Sequence, residues 1–143
     1  MAETLPAHGL VEDVLRRISL TQGFNAWLGV ELLRMGDGEV EIAVTLRQEL
    51  TQHHGFAHGG VVGALADTAC SWAAASVAGD VVTSSYNIHF VAPAKGTRLV
   101  AKAVVIRAGK RQSTVEAKVY VETPGETPRL AAVALAAIAH VGK

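Results

Sequence analysis

The stretch of sequence with the clearest chemical potential runs from His58 to Gly79 and holds one acidic side chain, Asp67. All residues from 61 to 78 except Asp67 are apolar or small, which is typical of a buried helix. An unpaired carboxylate in such a helix loses water and gains no partner, so chains rarely keep one without a role. Asp67 is therefore the first candidate for a general base or a nucleophile.

Two glycines, Gly59 and Gly60, stand where this helix is expected to begin. A glycine backbone can approach a ligand closely, and the first N–H groups of a helix have no intrahelical acceptor. The helix start could therefore polarise a carbonyl group. Gly59 lies eight residues before Asp67, which is about 12 Å along a helix axis and too far for both to act on one carbonyl. If both serve one reaction, one comes from a second subunit, which predicts a symmetric dimer with two interfacial sites.

Composition limits the classes of protein and partner. The chain has 143 residues, enough for one domain with a real core. It is 50% apolar and 18% charged, values that indicate a globular protein with extra apolar surface to bury in an oligomer. The net charge is zero and the pI is about 7.0, so no overall field would gather nucleic acid or an anionic membrane.

The cysteine content and the N-terminus bear on location. The single cysteine, Cys70, excludes an internal disulfide and is expected to be an inert core residue, which fits a reducing, cytoplasmic compartment. The first residues show no basic segment followed by an apolar run, so no signal peptide is expected. Residues 61–78 barely reach spanning length and contain Asp67, Thr68 and Ser71, which argues against a transmembrane segment.

Hydrophobic periodicity predicts the remaining elements. Residues up to Gly9 are expected to be loose, and residues 10–20 show the pattern of a short amphipathic helix. Strands are predicted at residues 28–35, 39–46, 81–91, 99–107, 113–121 and 129–141, with a helix as the alternative for the last. A hairpin, a long apolar helix and four further strands make an α+β pattern. Because the helix is apolar on all sides, the sheet must wrap around it.

Three segments resemble one family. They are His58-Gly59-Gly60, then Leu65-Ala66-Asp67-Thr68, then residues 87–96, which read Asn-Ile-His-Phe-Val-Ala-Pro-Ala-Lys-Gly. Together they are similar to the hotdog-fold thioesterases of the phenylacetate-degradation, PaaI-like type. The resemblance covers about residues 27–140, so we expect a hotdog domain at residues 27–143 after an N-terminal amphipathic helix and lead-in at residues 1–26.

The resemblance implies a fold, an activity and an assembly. The family fold is a curved antiparallel β-sheet wrapped around one long central α-helix, in agreement with the predicted order of elements. Its members hydrolyse acyl-coenzyme A thioesters without a cofactor. They work as homodimers or as dimers of dimers, which are homotetramers, with sites between subunits.

The resemblance also implies roles for individual residues. Asp67 matches the catalytic carboxylate, and Gly59 matches the glycine whose N–H polarises the thioester carbonyl. Gln52 matches a residue that orients water or carbonyl, Thr83 one that assists the water, and His58 a histidine next to the thioester sulfur. The structural alternatives are Asp67 bonded to a neighbouring hydroxyl or a helix end, His58 as a helix cap, and Gln52 as an ordinary loop residue.

Basic and histidine residues complete the candidates. Arg107, Lys110 and Arg111 bracket a turn where the family tends to bind coenzyme A phosphates, and a solvated turn is the alternative. His53, His54 and His58 lack the spacing and the acidic partner of a metal site, so no metal is expected. Two other functions stay open: an enoyl-CoA hydratase or dehydratase on the same fold, and a non-catalytic acyl-CoA-binding domain. An aryl and a medium-chain acyl group fit the sequence equally well.

Overall fold

The computed structural model describes residues 11–142 and contains three α-helices and six β-strands in that range. The helices are α1 (Val11–Val14), α2 (Gly23–Leu28) and α3 (Gly59–Ala78). The strands are β1 (Glu31–Gly36), β2 (Glu39–Thr45), β3 (Val81–Phe90), β4 (Arg98–Ala108), β5 (Gln112–Glu122) and β6 (Arg129–His140). A π-helical turn at Leu15–Ser19 extends α1, and a 3-10 turn at Gln48–Leu50 precedes α3.

The strands form one antiparallel sheet in the order β1-β2-β4-β5-β6-β3. Inward and outward side chains alternate as the sequence predicts: Val115, Ala117 and Val119 of β5 are buried, whereas Lys118 is exposed. Among residues 11–142, strand β3 pairs only with β6, so its other side is an open edge of the described sheet.

Helix α3 lies against the concave face of this sheet. Its buried positions are mostly small, including Ala66, Ala69, Cys70 and Ala73, all of which are fully buried. Small side chains let the strands come close on several sides of the helix. The expected hotdog architecture, an antiparallel sheet around one long helix, is thereby confirmed. By length and composition α3 could cross a membrane, but 56% of its most apolar window is buried inside the chain.

The region before β1 differs from the prediction. Residues 28–35 do not form one strand, because Gly23–Leu28 is helical and β1 begins at Glu31. Gly29, with φ of 85°, ends α2 in the left-handed conformation that glycine adopts most easily. The predicted helix at residues 10–20 is observed from Val11 onward, and residues 1–10 lie outside the described range. The predicted boundary at residues 26 and 27 falls inside α2 and stays a prediction.

Strand β6 is rich in alanine, which is why a helix was the alternative there. The structure confirms the strand. It pairs with β5 on one side and β3 on the other, and Ala132, Ala134, Ala136 and Ile138 are buried. Pairing on both sides and a need for small side chains beneath α3 outweigh the local helix propensity of alanine.

Cys70 is the inert core residue that the sequence indicates. It is fully buried, and its sulfur lies 3.9 Å from the carbonyl oxygen of Val115. Burial, reinforced by the negative charges of Asp67 and Glu116, raises the pKa of the Cys70 thiol to about 12. The thiol is therefore protonated at neutral pH, which removes its nucleophilic form.

We expect Gly96→Ala to destabilise the fold, because a Cβ there would lie 2.6 Å from Val121 Cγ2 and 2.7 Å from the carbonyl oxygen of Glu122. Crowding of this kind typically lowers the free energy of unfolding by about 1–3 kcal/mol. Gly36→Ala is the matched control, since a Cβ on that residue would meet no atom within 4 Å and its φ is not positive. Urea denaturation measures both; equal stability of the two variants would contradict the prediction.

Candidate active site

The first turn of α3 leaves one backbone donor without an acceptor. His58 caps the helix, since its Nδ1 accepts a hydrogen bond from the Gly60 N–H at 2.8 Å. The N–H groups of Val61 and Val62 both donate to the carbonyl oxygen of His58, at 2.9 and 3.2 Å. Within residues 11–142 the Gly59 N–H has no such partner. A free N–H at the positive end of a helix is suited to polarising a carbonyl oxygen.

The cap also defines the state of the His58 ring. An Nδ1 that accepts a hydrogen bond carries no proton, so the neutral ring holds its proton on Nε2. The cap is the structural role that the sequence left open for His58, and it is observed. Only Nε2 is left for any contact with a ligand.

A cavity of about 390 Å³ lies against Gly59. Its walls are mainly apolar and come from the loop before α3, from α3 itself, and from the segment after β3. They include Gln52, Phe56, Val62, Phe90 and Ala94. A Cβ on residue 59 would lie 3.3 Å from Cζ of Phe90, so a glycine there keeps the backbone accessible at the edge of the cavity.

Gln52 lies at the polar side of this cavity. The side-chain oxygen of Gln52 accepts a hydrogen bond from the backbone N–H of His54. The backbone N–H of Gln52 donates to the carbonyl oxygen of Phe56 at 2.9 Å. These bonds fold residues 52–56 into a tight turn. The side-chain nitrogen of Gln52 is the group that stays available to donate. The structure thus places Gln52 and Gly59 at the same cavity.

Asp67 and Thr83 form a second group. The Thr83 hydroxyl donates to Asp67 Oδ1 at 2.6 Å. Ser71 Oγ lies 3.4 Å from Thr83 Oγ1, and because the one proton of Thr83 goes to Asp67, Ser71 donates in that pair. Thr68 contacts Asn25 Oδ1 at 3.4 Å and does not bond Asp67. Asp67 is half-buried, and the hydroxyl of Thr83 holds one of its two carboxylate oxygens in place.

The two groups share one face of α3. Gly59, Gly63, Asp67 and Ser71 follow each other at intervals of four residues, which places them in a row along a helix. We call this row the glycine-acid face. It is turned toward β3, the strand at the open edge of the sheet.

Side chains of β3 contact the glycine-acid face in reverse chain order. Phe90 lies at Gly59, the Tyr86 hydroxyl lies at Gly63, and Thr83 lies at Asp67. Ser71 and Tyr86 had not been identified as candidates from the sequence. The four-residue interval was the available signal for Ser71, whereas the position of Tyr86 depends on the bulge in β3 between Thr83 and Ser85.

Within one chain the acid does not reach the cavity. Asp67 is absent from the residues that line it, and its partners Thr83 and Ser71 lie further from Gly59 along the helix. This separation agrees with the distance expected from eight helical residues, about 12 Å. Within one chain, therefore, Asp67 and the cavity beside Gly59 lie apart.

The basic turn, Arg107, Lys110 and Arg111, joins β4 to β5 and is exposed. Its position follows from the pairing of the strands. Gln112 pairs with Ala139, and Ala139 pairs with Val82 at the start of β3. The basic turn is therefore at the end of the sheet near Asp67, whereas the cavity is near Phe90, about 26 Å further along β3 at ~3.3 Å per residue. These side chains make no ion pair within residues 11–142.

The histidines of the loop before α3 were considered as metal ligands. The rings of His53 and His54 stack with centroids 4.0 Å apart, and His58 caps α3. Among residues 11–142 no group of three or more His, Cys, Asp or Glu side chains could hold a metal ion. Nothing in this loop indicates a metal ligand set.

Comparison with known proteins identifies the family. The model of the thioesterase superfamily matches residues 54–127, which contain α3, β3, β4 and β5. A Halobacterium salinarum protein whose name describes it as an esterase is 37% identical over 113 residues, covering 73% of each chain. The acyl-coenzyme A thioesterase PaaI of Escherichia coli is 30% identical over 93 residues, covering 64% of this chain and 66% of that protein.

A solved structure agrees with this assignment. The crystal structure of a thioesterase family protein from Silicibacter pomeroyi superimposes with a TM-score of 0.81 at 31% sequence identity. The superposition covers 92% of this chain and 96% of the other. The resemblance to PaaI-like hotdog proteins is thus confirmed in sequence and in fold. The chain belongs to the thioesterase superfamily.

Proposed function

We propose that this thioester hydrolase acts on acyl-coenzyme A, releasing a free acid and coenzyme A. The observation that carries the proposal is the Gly59 N–H at the edge of an apolar cavity, which has no hydrogen-bond acceptor within residues 11–142. Such a donor stabilises the oxygen of a thioester carbonyl as negative charge develops on it. The name of the Escherichia coli relative, an acyl-coenzyme A thioesterase, supports the same substrate class.

Asp67 supplies the second part of the reaction. In one route it removes a proton from water, and the water oxygen attacks the thioester carbon. In the other, its carboxylate attacks and forms an anhydride that water then opens. In both, the carbon–sulfur bond breaks and the thiolate of coenzyme A leaves and takes up a proton. The hydroxyl of Thr83, at 2.6 Å, holds one carboxylate oxygen and leaves the other free to react.

Gln52 and His58 complete the proposed site from the cavity side. The free amide nitrogen of Gln52 donates to the carbonyl or to the attacking water, and the Nε2–H of His58 lies on the side of the thioester sulfur. Support for these roles comes from their placement: Gln52 lines the cavity beside Gly59, and His58 directly precedes that glycine. No cofactor is required, since a thioester is already activated toward water.

A dimer brings the two halves of the site together. Strand β3 offers ten residues of open edge, and Val82 and Phe90 on it are more than half exposed. An exposed apolar edge strand is favourable only when another strand or chain covers it. We infer that β3 pairs antiparallel with β3 of a second copy, placing Gly59 of one chain opposite Asp67 of the other. A dimer of dimers and a cytoplasmic location stay predictions.

The basic turn is suited to the phosphates of coenzyme A. Its three side chains, Arg107, Lys110 and Arg111, are exposed cations, and the turn lies at the end of the sheet that holds Asp67. In the dimer each turn would contact the nucleotide portion of a substrate whose acyl group enters the cavity of the other chain. The turn thereby adds affinity for coenzyme A without touching the reacting atoms.

We expect Asp67→Asn to lower kcat at least about a hundredfold, because amide nitrogen cannot take a proton from water or attack carbon; this corresponds to ~2.7 kcal/mol. Thiol release from phenylacetyl-, hydroxybenzoyl- and straight-chain acyl-CoA measures it and reveals the preferred acyl group. Asp37→Asn is the matched control, an exposed turn carboxylate with φ of 46° that asparagine tolerates. If the wild type releases no thiol from any of these substrates, the proposal is wrong and enoyl-CoA hydration becomes the next assay.

Mixing two inactive variants tests whether the site spans two chains. Asp67→Asn removes the acid, and Gly59→Val blocks the cavity edge beside Phe90. A mixed dimer then has one site with both intact residues and one with neither. After denaturation and refolding of an equal mixture, about a quarter of wild-type activity should return, since half the dimers are mixed and each has one intact site. If the refolded mixture is no more active than the separate variants, both residues act within one chain and the prediction is wrong.

The basic turn is tested by removing charge from the protein and from the substrate. Lys110→Ala/Arg111→Ala should raise KM for acyl-CoA about tenfold, which is ~1.4 kcal/mol, through lost phosphate contacts. The same variant should show nearly unchanged KM for the acyl-pantetheine thioester, which lacks the nucleotide. Lys118→Ala, an exposed lysine on the outer face of the sheet, is the control. An equal rise in KM for both substrates would argue for a general disturbance of the site.

A further inference from the structure

The contacts between β3 and the glycine-acid face fix where a two-fold axis can pass. Phe90 lies at Gly59, and Thr83 lies at Asp67, so the strand runs beside the helix in the opposite direction. Midway along the face, a Cβ on Gly63 would lie 3.3 Å from the hydroxyl oxygen of Tyr86. The proposed dimer adds one condition, that Gly59 of each chain faces Asp67 of the other.

That condition places the axis at the middle of the helix segment. If residue 59 of one chain faces residue 67 of its partner, symmetry makes residue 67 face residue 59 at the other site. The residue halfway between them faces its own copy, and that residue is Gly63. Gly63 is buried beneath Tyr86 of its own chain, so the side chain of Tyr86 stands between the two copies of the helix at this point.

The pairing of the strands under the same condition leads to the same place. Pairing of β3 with its copy in the same arrangement places Phe90 of one chain near Thr83 of the other. The midpoint between these residues falls between 86 and 87. Of the two, Tyr86 is turned toward α3, where it contacts Gly63, whereas Asn87 lines the outer face of the sheet with Leu135.

We infer that Tyr86 lies at the two-fold axis of the dimer, packed on Gly63, and sets the separation between Gly59 of one chain and Asp67 of the other. The inference deepens the proposed function and rests on it. Tyr86 is a positioning residue, since it acts through the placement of the two chains. Its side chain is 41% exposed in one chain, and its hydroxyl makes no hydrogen bond within residues 11–142, so it has both surface and a polar group left for contact with a second copy.

Disulfide cross-linking tests the position of the axis. In a Cys70→Ala background, Tyr86→Cys should form a disulfide-linked dimer on mild oxidation, because facing residues of paired antiparallel strands have Cα atoms about 4.5–5.5 Å apart. Val82→Cys is the matched control on the same strand and is 54% exposed. Its two copies would be eight residues apart, about 26 Å, and should not link. Non-reducing electrophoresis separates the products.

The outcomes separate this inference from the proposed function. If Tyr86→Cys forms the linked dimer and Val82→Cys does not, the inference is supported. A wild type that releases no thiol would then refute only the proposed hydrolysis. The inference is overturned if Val82→Cys links as readily as Tyr86→Cys. It is also overturned if sedimentation shows a dimer in which Tyr86→Cys does not link. In either case the hydrolysis is decided by its own assay.

A second pair of variants tests the positioning role and does not depend on cross-linking. Gly63→Ala should lower kcat about tenfold by pushing the Tyr86 hydroxyl outward, although alanine in a helix favours stability by ~0.5–1 kcal/mol over glycine. The melting temperature should therefore not fall. Gly63→Ala/Tyr86→Phe removes the hydroxyl that the new methyl group meets and should recover at least half of the lost activity. Unchanged kcat in the single variant, or no recovery in the double variant, refutes the role.

Discussion

The glycine-acid face of α3 is the feature on which the other parts of the site depend. A helix apolar on all sides gains most by being surrounded, and the sheet covers it with buried apolar side chains from β4, β5 and β6. The sheet does not close, however, since β3 ends it and leaves one helix face at the open edge. On that face Gly59 presents its backbone N–H, Gly63 is buried against Tyr86, and the hydroxyl of Thr83 donates to Asp67. The core and the site are therefore two sides of one helix.

Much of this arrangement could be predicted from the sequence, because the strongest signals were long and periodic. The unbroken apolar run predicted α3, and strict alternation predicted β2 and β5. Asp67 was conspicuous because one charge among apolar residues has few explanations. Its hydrogen bond with Thr83 could not be predicted from a local pattern, since the two residues lie sixteen positions apart with a turn between them.

Other features depended on contacts that sequence patterns do not report. Helix α2 has six residues, too few for a periodic signal, and Leu28 at its end resembles the start of a strand. The bulge between Thr83 and Ser85 shifts which β3 side chains face inward, so Tyr86 could not be placed by alternation. The lack of an acceptor for the Gly59 N–H was likewise visible only after His58 was seen to cap its neighbour.

The free N–H of Gly59 belongs to the backbone, and this affects how the site can change over time. No substitution other than one to proline deletes the donor, because every other residue carries the same backbone group. Selection at this position therefore acts on volume beside Phe90 and not on chemical identity. The acid is the opposite case, since its chemistry is lost in a single substitution. Enzyme and inactive binding protein can thus differ at residue 67 alone, with the pocket and its polarising end inherited intact.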